Sequence, residues 1–308
     1  AQWDKLLARF PNQRAHRATA LQHRADLSIE LQETALAMES FEQLIREFPF
    51  EARIRNAAQA GIARFALDRA YLEETKGNIA KAYELYEALI QSNPTLVEAH
   101  RNFIRLAARL GQVEKHLPYY SNWVRREPQN KIARYSYGLL QTYPPLFDLR
   151  LAEREVSLAL DISPRFAPAH LTLGWILEQR EYGQPNNGHL ERAIQSYQTA
   201  RDLLEGTPND RLLAGAHLNL GNAFLQLGKR DSAFASFLER EMMGIRFQNR
   251  HRELLFRLRF SRTAISQEAY ALAIDQGGIA LRLARAGVGN KGDKPYLATT
   301  LSIMGAAH

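Results

Sequence analysis

Gly77 recurs as Gly111 and Pro94 as Pro128, each after 34 residues. A period of that length, punctuated by helix breakers, holds two short helices and is too short for a domain of its own. Between the breakers the apolar residues fall three or four apart. Ala82, Tyr86 and Leu89 precede Pro94, while Phe103, Ala107, Tyr120 and Trp123 take the corresponding places in the next unit. Residues at that spacing share one face of a helix. A single pair of such helices cannot hide its apolar stripe, so each pair must stack on its neighbours.

The stretch 214–237, AGAHLNLGNAFLQLGKRDSAFASF, shows the unit most clearly. His217, Leu220 and Phe224 lie on one face of a first helix. Gly228 and Lys229 break it, and Ala233, Phe234 and Phe237 repeat the spacing on a second helix. Gly221 and Ala233 are the small residues, placed where two antiparallel helices need their backbones close. This arrangement resembles the tetratricopeptide repeat (TPR), whose pattern runs aromatic, Leu-Gly, Tyr, Ala, Phe and a closing Pro. His217 stands in the aromatic slot, Leu220-Gly221 in the next pair, Phe224 for Tyr, then Ala233 and Phe237. Ile245 departs from the pattern where the closing Pro belongs. The resemblance implies an all-α fold, a right-handed α-solenoid (superhelix) of antiparallel TPR helix hairpins, with the first helices on a concave inner surface.

The same reading divides residues 1–308 into one array of approximate units: 1–11 (partial), 12–49, 50–94, 95–128, 129–164, 165–208, 209–247, 248–294 and 295–308 (partial). Trp3, Leu6, Leu7 and Phe10 form a stripe ending at Pro11, the second half of a repeat. Helices are expected over 18–31, 35–48 and 62–72. Pro144 and Pro145 cannot continue a helix, so an enlarged turn falls there. The run 182–188 (YGQPNNG) reads as an exposed loop, as does 287–292 (GVGNKG). Helices over 250–263 and 269–286 follow, the second interrupted by Gly277-Gly278. Each of those glycines costs roughly 1 kcal/mol against Ala, which marks a close-packing point or a kink. An array that begins and ends inside a repeat is the expectation for a piece of a longer chain.

Composition narrows the function. The chain has no cysteine, which excludes disulfides and thiolate chemistry and leaves cytoplasm and periplasm equally open. No apolar run approaches the ~18–20 residues that span a bilayer. The histidines show no HExxH or other ligand spacing. His100, His170 and His217 occupy the same slot of their motifs, which marks them as structural and keeps them a helix pair apart, too far to share a metal. Acid pairs such as Glu73-Glu74 read as exposed helix ends. No enzyme, metal or other cofactor is expected.

The expected function is that of a non-catalytic scaffold gripping a partner peptide or helix in the concave groove. The alternative is the TPR region of a larger protein (a regulator, transferase or polysaccharide-export subunit) that positions partners for another domain. Groove residues are those on first helices that do not face the core: Arg69, Arg101, Asn102, Arg105 and Arg109, then Tyr135, Leu139, Trp175, Asn219 and Asn222. Arg101, Arg105 and Arg109 stand at i, i+4 and i+8 on one face. Three permanent charges in a row call for an anion over them, such as an acidic segment or a C-terminal carboxylate. The alternative is a solvated face shielded by Glu98. Trp175 reads either as a binding anchor or as packing against the next repeat. Asn219 and Asn222 match TPR asparagines whose amides can bond a ligand's main chain.

All of the net charge of +7 lies beyond residue 210, where 14 Lys and Arg face 7 Asp and Glu. Arg246, Arg250, Arg252, Arg257, Arg259 and Arg262 alternate with apolar residues, as in a packed helix with a basic outer face. That face suits an acidic protein or anionic surface, or is merely solvated. Nucleic acid is the weakest reading, since elsewhere the charge is balanced. Partner identity and oligomeric state are not written in the sequence.

Overall fold

The computed structural model describes residues 5, 7, 13–31, 33–183, 188–245, 247, 250–286 and 294–307. Among them are fifteen α-helices and no strand. Trp3, Leu6, Phe10, Pro11, Arg246 and the run 287–292 lie outside the described residues, as do 184–187 of the loop expected over 182–188.

Two compact units divide the chain, Ala1–Gly111 and Gln112–His308. The first contains α1 (Arg14–Glu30), α2 (Thr34–Glu47), α3 (Ala52–Thr75), α4 (Ile79–Ser92) and α5 (Val97–Arg109). Helix α1 pairs with α2 and α3 with α4, and each pair rests on the next. Leu21, Ala25, Phe41, Leu44 and Ala58 form one core, and Tyr83 of α4 stacks on Phe103 of α5 at 4.8 Å between ring centroids. Helix α3 begins about three turns earlier than its apolar spacing suggests. Residues 52–60 are mostly Ala, Arg and Gln, strong helix formers with no apolar stripe to reveal them.

The second unit runs α6 (Val113–Arg126), α7 (Lys131–Gln141), α8 (Leu149–Ile162), α9 (Ala167–Gly183), α10 (His189–Leu204), α11 (Asp210–Gln226), α12 (Arg230–Met242), α13 (Arg250–Ser266), α14 (Tyr270–Arg285) and α15 (Lys294–Ala307). Helices α7 to α14 pair consecutively, and α15 lies against α14 and α13. Pro144 and Pro145 fall in the turn between α7 and α8. There the Asp148 carboxylate accepts from the backbone N–H groups of Arg150 and Leu151 (3.1 and 3.0 Å) and starts α8. Asn130 caps α7 in the same way. Helix α9 continues to Gly183, into the stretch expected to be loop. Helix α14 passes through Gly277-Gly278 without interruption, with Gly277 buried.

Close approach within the hairpins rests on small residues. A Cβ on Gly174 of α9 would stand 2.5 Å from Cε1 of Tyr197 on α10, and one on Gly138 of α7 would stand 2.8 Å from Cγ2 of Val156 on α8. Gly221 of α11 is likewise covered by the ring of Phe237 on α12.

A second recurring device joins hairpins. Arg55, His100, Arg134 and His170 each lie six residues past a closing proline and donate a side-chain N–H to its carbonyl. The distances are 2.9 Å to Pro49, 3.0 Å to Pro94, 2.7 Å to Pro128 and 2.8 Å to Pro164. The acceptors fix Nε2 of both histidines as the protonated nitrogen. His100 is fully buried, and burial pushes its pKa down to about 4. His217 shares the helical slot, but the residue six before it is Arg211, which lies inside α11 and not in the turn that precedes the helix.

Candidate partner-binding surfaces

The arginine stripe of α5 lies in the first unit, and its counter-charge comes from α3. Arg105 forks onto Glu74, Nη1 to Oε1 at 2.5 Å and Nη2 to Oε2 at 2.6 Å. The same Nη2 also donates to Oδ1 of Asn102 (3.1 Å). Arg109 Nη1 stands 3.7 Å from the Glu74 carboxylate. The Glu74 side chain is 1% exposed, and Glu73 is buried as well. The pair is therefore not an exposed helix end. Glu74 folds inward to meet Arg105, and Glu73 accepts from Asn78 Nδ2 (2.9 Å) and pairs with Lys81 (3.2 Å) and Lys76 (3.6 Å). Side-chain hydrogen bonds, from Asn78 foremost, hold the Glu73 carboxyl below its ordinary range. Asn102 is buried, Arg101 half-buried, and Arg69 exposed on α3.

In the second unit Tyr135 belongs to the core rather than to a groove. It is fully buried, edge-on to Phe166 with ring centroids 5.2 Å apart, and its hydroxyl accepts from Thr172 Oγ1 at 3.4 Å. Leu139 is also buried. Their spacing on α7 is that of a helix face, but α8 and α9 cover the face on which they lie. Trp175 is half-buried and packs against the core shared by α9, α10 and α11.

A polar ladder crosses three consecutive first helices, α9, α11 and α13. Gln226 of α11 donates through Nε2 to Oε1 of Glu178 on α9. Four residues earlier on α11, Oδ1 of Asn222 accepts from Nη1 of Arg259 on α13 (2.6 Å). The other Glu178 oxygen accepts from the Tyr197 hydroxyl at 2.9 Å. Burial raises the Glu178 pKa, and the bonds from Tyr197 and Gln226 and the charge of Arg259 act against that shift. Tyr197 is pushed up by its own burial and then by Glu178. Asn219 is half-buried on α11. On α13, Arg250, Arg252, Arg259 and Arg262 are exposed. Arg257 turns inward to Glu241 (2.5 Å) and Gln276 (2.6 Å).

Asn222 is thus joined to Arg259, and Trp175 shares α9 with Glu178 three residues on. The sequence reading missed Glu178 and Gln226 as members of this surface and took Arg259 only as part of a basic helix. The signal available was spacing: Gln226 is i+4 from Asn222, and Glu178 is i+3 from Trp175. Among the described residues, no group of three or more His, Asp and Glu side chains could hold a metal ion, and no helix is long and apolar enough to cross a membrane.

Residues 19–50 match the family described as Tetratricopeptide repeat. Among solved structures, the APC/C hetero-tetramer Cut9–Hcn1 is similar in fold, with a TM-score of 0.59 at 14% identity. The match covers 94% of this chain and 57% of that one, so this chain spans little more than half the length of its counterpart. A tetratricopeptide repeat protein from Parabacteroides merdae ATCC 43184 aligns at 16% identity and a TM-score of 0.47, covering 92% of this chain and 98% of that one. YrrB, described as a TPR protein with an unusual peptide-binding site, aligns at 13% identity and 0.43, over 61% of this chain and 95% of its own. No curated protein matches the sequence. The fold class is that of stacked helix hairpins. Residues 19–50 carry a tetratricopeptide repeat, and the chain as a whole shares the fold of solved tetratricopeptide-repeat arrays.

Proposed function

We propose that the chain is a non-catalytic interaction module that docks a protein segment of acidic character across the first helices α9, α11 and α13. The observation that carries this reading is the ladder from Glu178 through Gln226 and Asn222 to Arg259. It spans three hairpins with hydrogen-bonding side chains, beside a half-buried Trp175 and an exposed row of arginines on α13. Amide side chains such as Asn219 and Asn222 can bond a main chain whatever its sequence, and the arginines select for acidic residues. Arg69 on α3 and Arg101 and Arg109 on α5, exposed or half-buried, are the candidates for such a segment in the first unit.

The test is fluorescence anisotropy with a labelled oligo-aspartate peptide and an oligo-lysine peptide of equal length. The aspartate peptide is expected to bind and the lysine peptide not to bind. Arg259→Glu should weaken binding at least about tenfold, and Asn222→Ala by a smaller factor, with helicity unchanged by circular dichroism. Equal binding of both peptides, or an unaffected Arg259→Glu variant, would overturn the assignment of this surface.

A further inference from the structure

Glu178 is the acidic member of a surface otherwise supplied with donors and cations. Its carboxylate is half-buried between Tyr197 of α10 and Gln226 of α11, each donating to one oxygen. Across the ladder stands Arg259, which is bonded to the neutral amide of Asn222 and whose charge reaches Glu178. A carboxylate arriving on Arg259 would bring a second negative charge to the same guanidinium and would cover Glu178 from water. Both changes favour the protonated form of Glu178, because like charges and burial each penalise the ionised one.

We propose that Glu178 takes up a proton from solvent when an acidic segment docks on Arg259, so that this surface grips such a segment more tightly as the pH falls. The inference rests on the acidic-partner reading above and adds its regulation. Even without ligand, burial already holds this carboxyl above its ordinary value. On α9 itself Glu181, three residues from Glu178, accepts from the His189 N–H (3.2 Å). Helix α8 presents Glu153, paired with Arg180 and Arg192 (3.6 Å), and Glu155, paired with Arg134 (2.7 Å) and Arg154 (2.9 Å). Helix α10 supplies Tyr197 itself, whose pKa is raised well out of the range concerned. Helix α11 carries Asp210 and Arg211 in its first turn and His217, which burial pushes down and whose nearest charges are Glu239, Arg201 and Glu205. On α13 Arg252 and Arg259 keep their charge throughout.

The experiment is isothermal titration calorimetry with an oligo-aspartate peptide, whose own carboxylates stay ionised between about pH 5.5 and about pH 7.5. Each titration is run in buffers of different ionisation enthalpy, which reports protons taken up on binding. The wild-type chain should take up a fraction of a proton that grows as the pH falls, and its affinity should rise by up to about tenfold per pH unit. In Glu178→Gln the uptake should be gone and the affinity, weakened or not, should be nearly level with pH, whereas His217→Gln should keep the uptake. A Glu178→Gln affinity that still climbs as the pH falls overturns the inference. Binding without proton uptake, or uptake that survives Glu178→Gln, overturns this inference and leaves the docking surface standing. A wild-type chain that does not bind the peptide overturns the acidic-partner reading, and the coupling with it.

Discussion

Glu268 occupies, in the turn between α13 and α14, the position that Gly228 occupies in the turn between α11 and α12. Both are left-handed, at φ 56° and 72°. Both turns carry the same two bonds. The Glu268 N–H reaches the Ile265 carbonyl (3.0 Å) and the Ala269 N–H that of Ala264 (2.9 Å), as Gly228 reaches Leu225 (3.0 Å) and Lys229 reaches Phe224 (2.9 Å). A residue with a Cβ pays roughly 1–2 kcal/mol for that conformation, while glycine brings back about 0.5–1 kcal/mol of chain entropy. Glu268→Gly should therefore stabilise the α13–α14 hairpin by about 0.5–1 kcal/mol. A lower thermal midpoint for the variant would contradict the turn geometry.

This turn shows where the sequence was readable and where it was not. Gly77 and Gly111 announce their turns because glycine is the residue that tolerates them, and the hairpin fold follows from such breakers and the apolar stripes between them. Glu268 gives no such sign, and the α13–α14 break shows only as a lapse in apolar spacing. The first turns of α3 are hidden for the opposite reason, since helix-forming residues without a stripe look like linker. The α5 arginine stripe is visible as a stripe, but its counter-ion Glu74 is not, because spacing along one helix does not say which side chain of another will meet it. Glu178 and Gln226 are concealed in the same way, 48 residues apart in sequence. Tyr135 and Leu139 lie on a regular helical face, and only the packing of neighbouring helices decides that the face is inside.

Gly174 tests the packing of the α9–α10 hairpin. An alanine there meets the ring of Tyr197, which is fully buried and tied to Glu178, so the ring cannot swing aside freely. Overpacking of this kind costs about 1–3 kcal/mol, against roughly 1 kcal/mol gained from better helix propensity. Gly174→Ala should lose up to about 2 kcal/mol net, and hydrogen exchange in α9 and α10 should quicken. Gly215→Ala on α11 is the control, because its Cβ would meet no neighbour. It should be neutral or slightly stabilising.

The α1–α2 hairpin should respond to acid. Glu47 accepts from Arg17 through both its oxygens, Nη2 to Oε1 at 2.6 Å, and from Gln43 (2.7 Å). The Arg17 bond foremost holds its carboxyl below the ordinary 4.5, with burial opposing. A lowered carboxyl stabilises the fold fully above the unfolded value and loses that contribution as the pH falls through the folded one. Thermal stability of this region should therefore decline below about pH 4.5, more steeply in the wild-type chain than in Glu47→Gln. Parallel acid profiles for the two proteins would show that the pair contributes nothing.

Glu74 and Arg105 should be unequal partners. The Glu74 side chain is 1% exposed and that of Arg105 is 23% exposed, so the two half-broken pairs differ in what they strand. Removing one member of a buried pair costs about 3–5 kcal/mol when the survivor stays buried. Glu74→Gln leaves an arginine that can lean into water, and the new amide can still accept a bond, so a loss of about 1–2 kcal/mol is expected. Arg105→Gln leaves a carboxylate with no route to solvent, answered among the described residues by Arg109 at 3.7 Å, so about 2–3 kcal/mol should be lost. The double variant should lose less than the sum of the two, which a double-mutant cycle read by hydrogen exchange in α3 and α5 would measure. Glu74→Gln should also free the charge of Arg105 and Arg109 and raise the affinity of the first unit for an oligo-aspartate peptide. If Glu74→Gln proves the costlier change, Glu74 is not the enclosed member of the pair and the stripe is not neutralised from within.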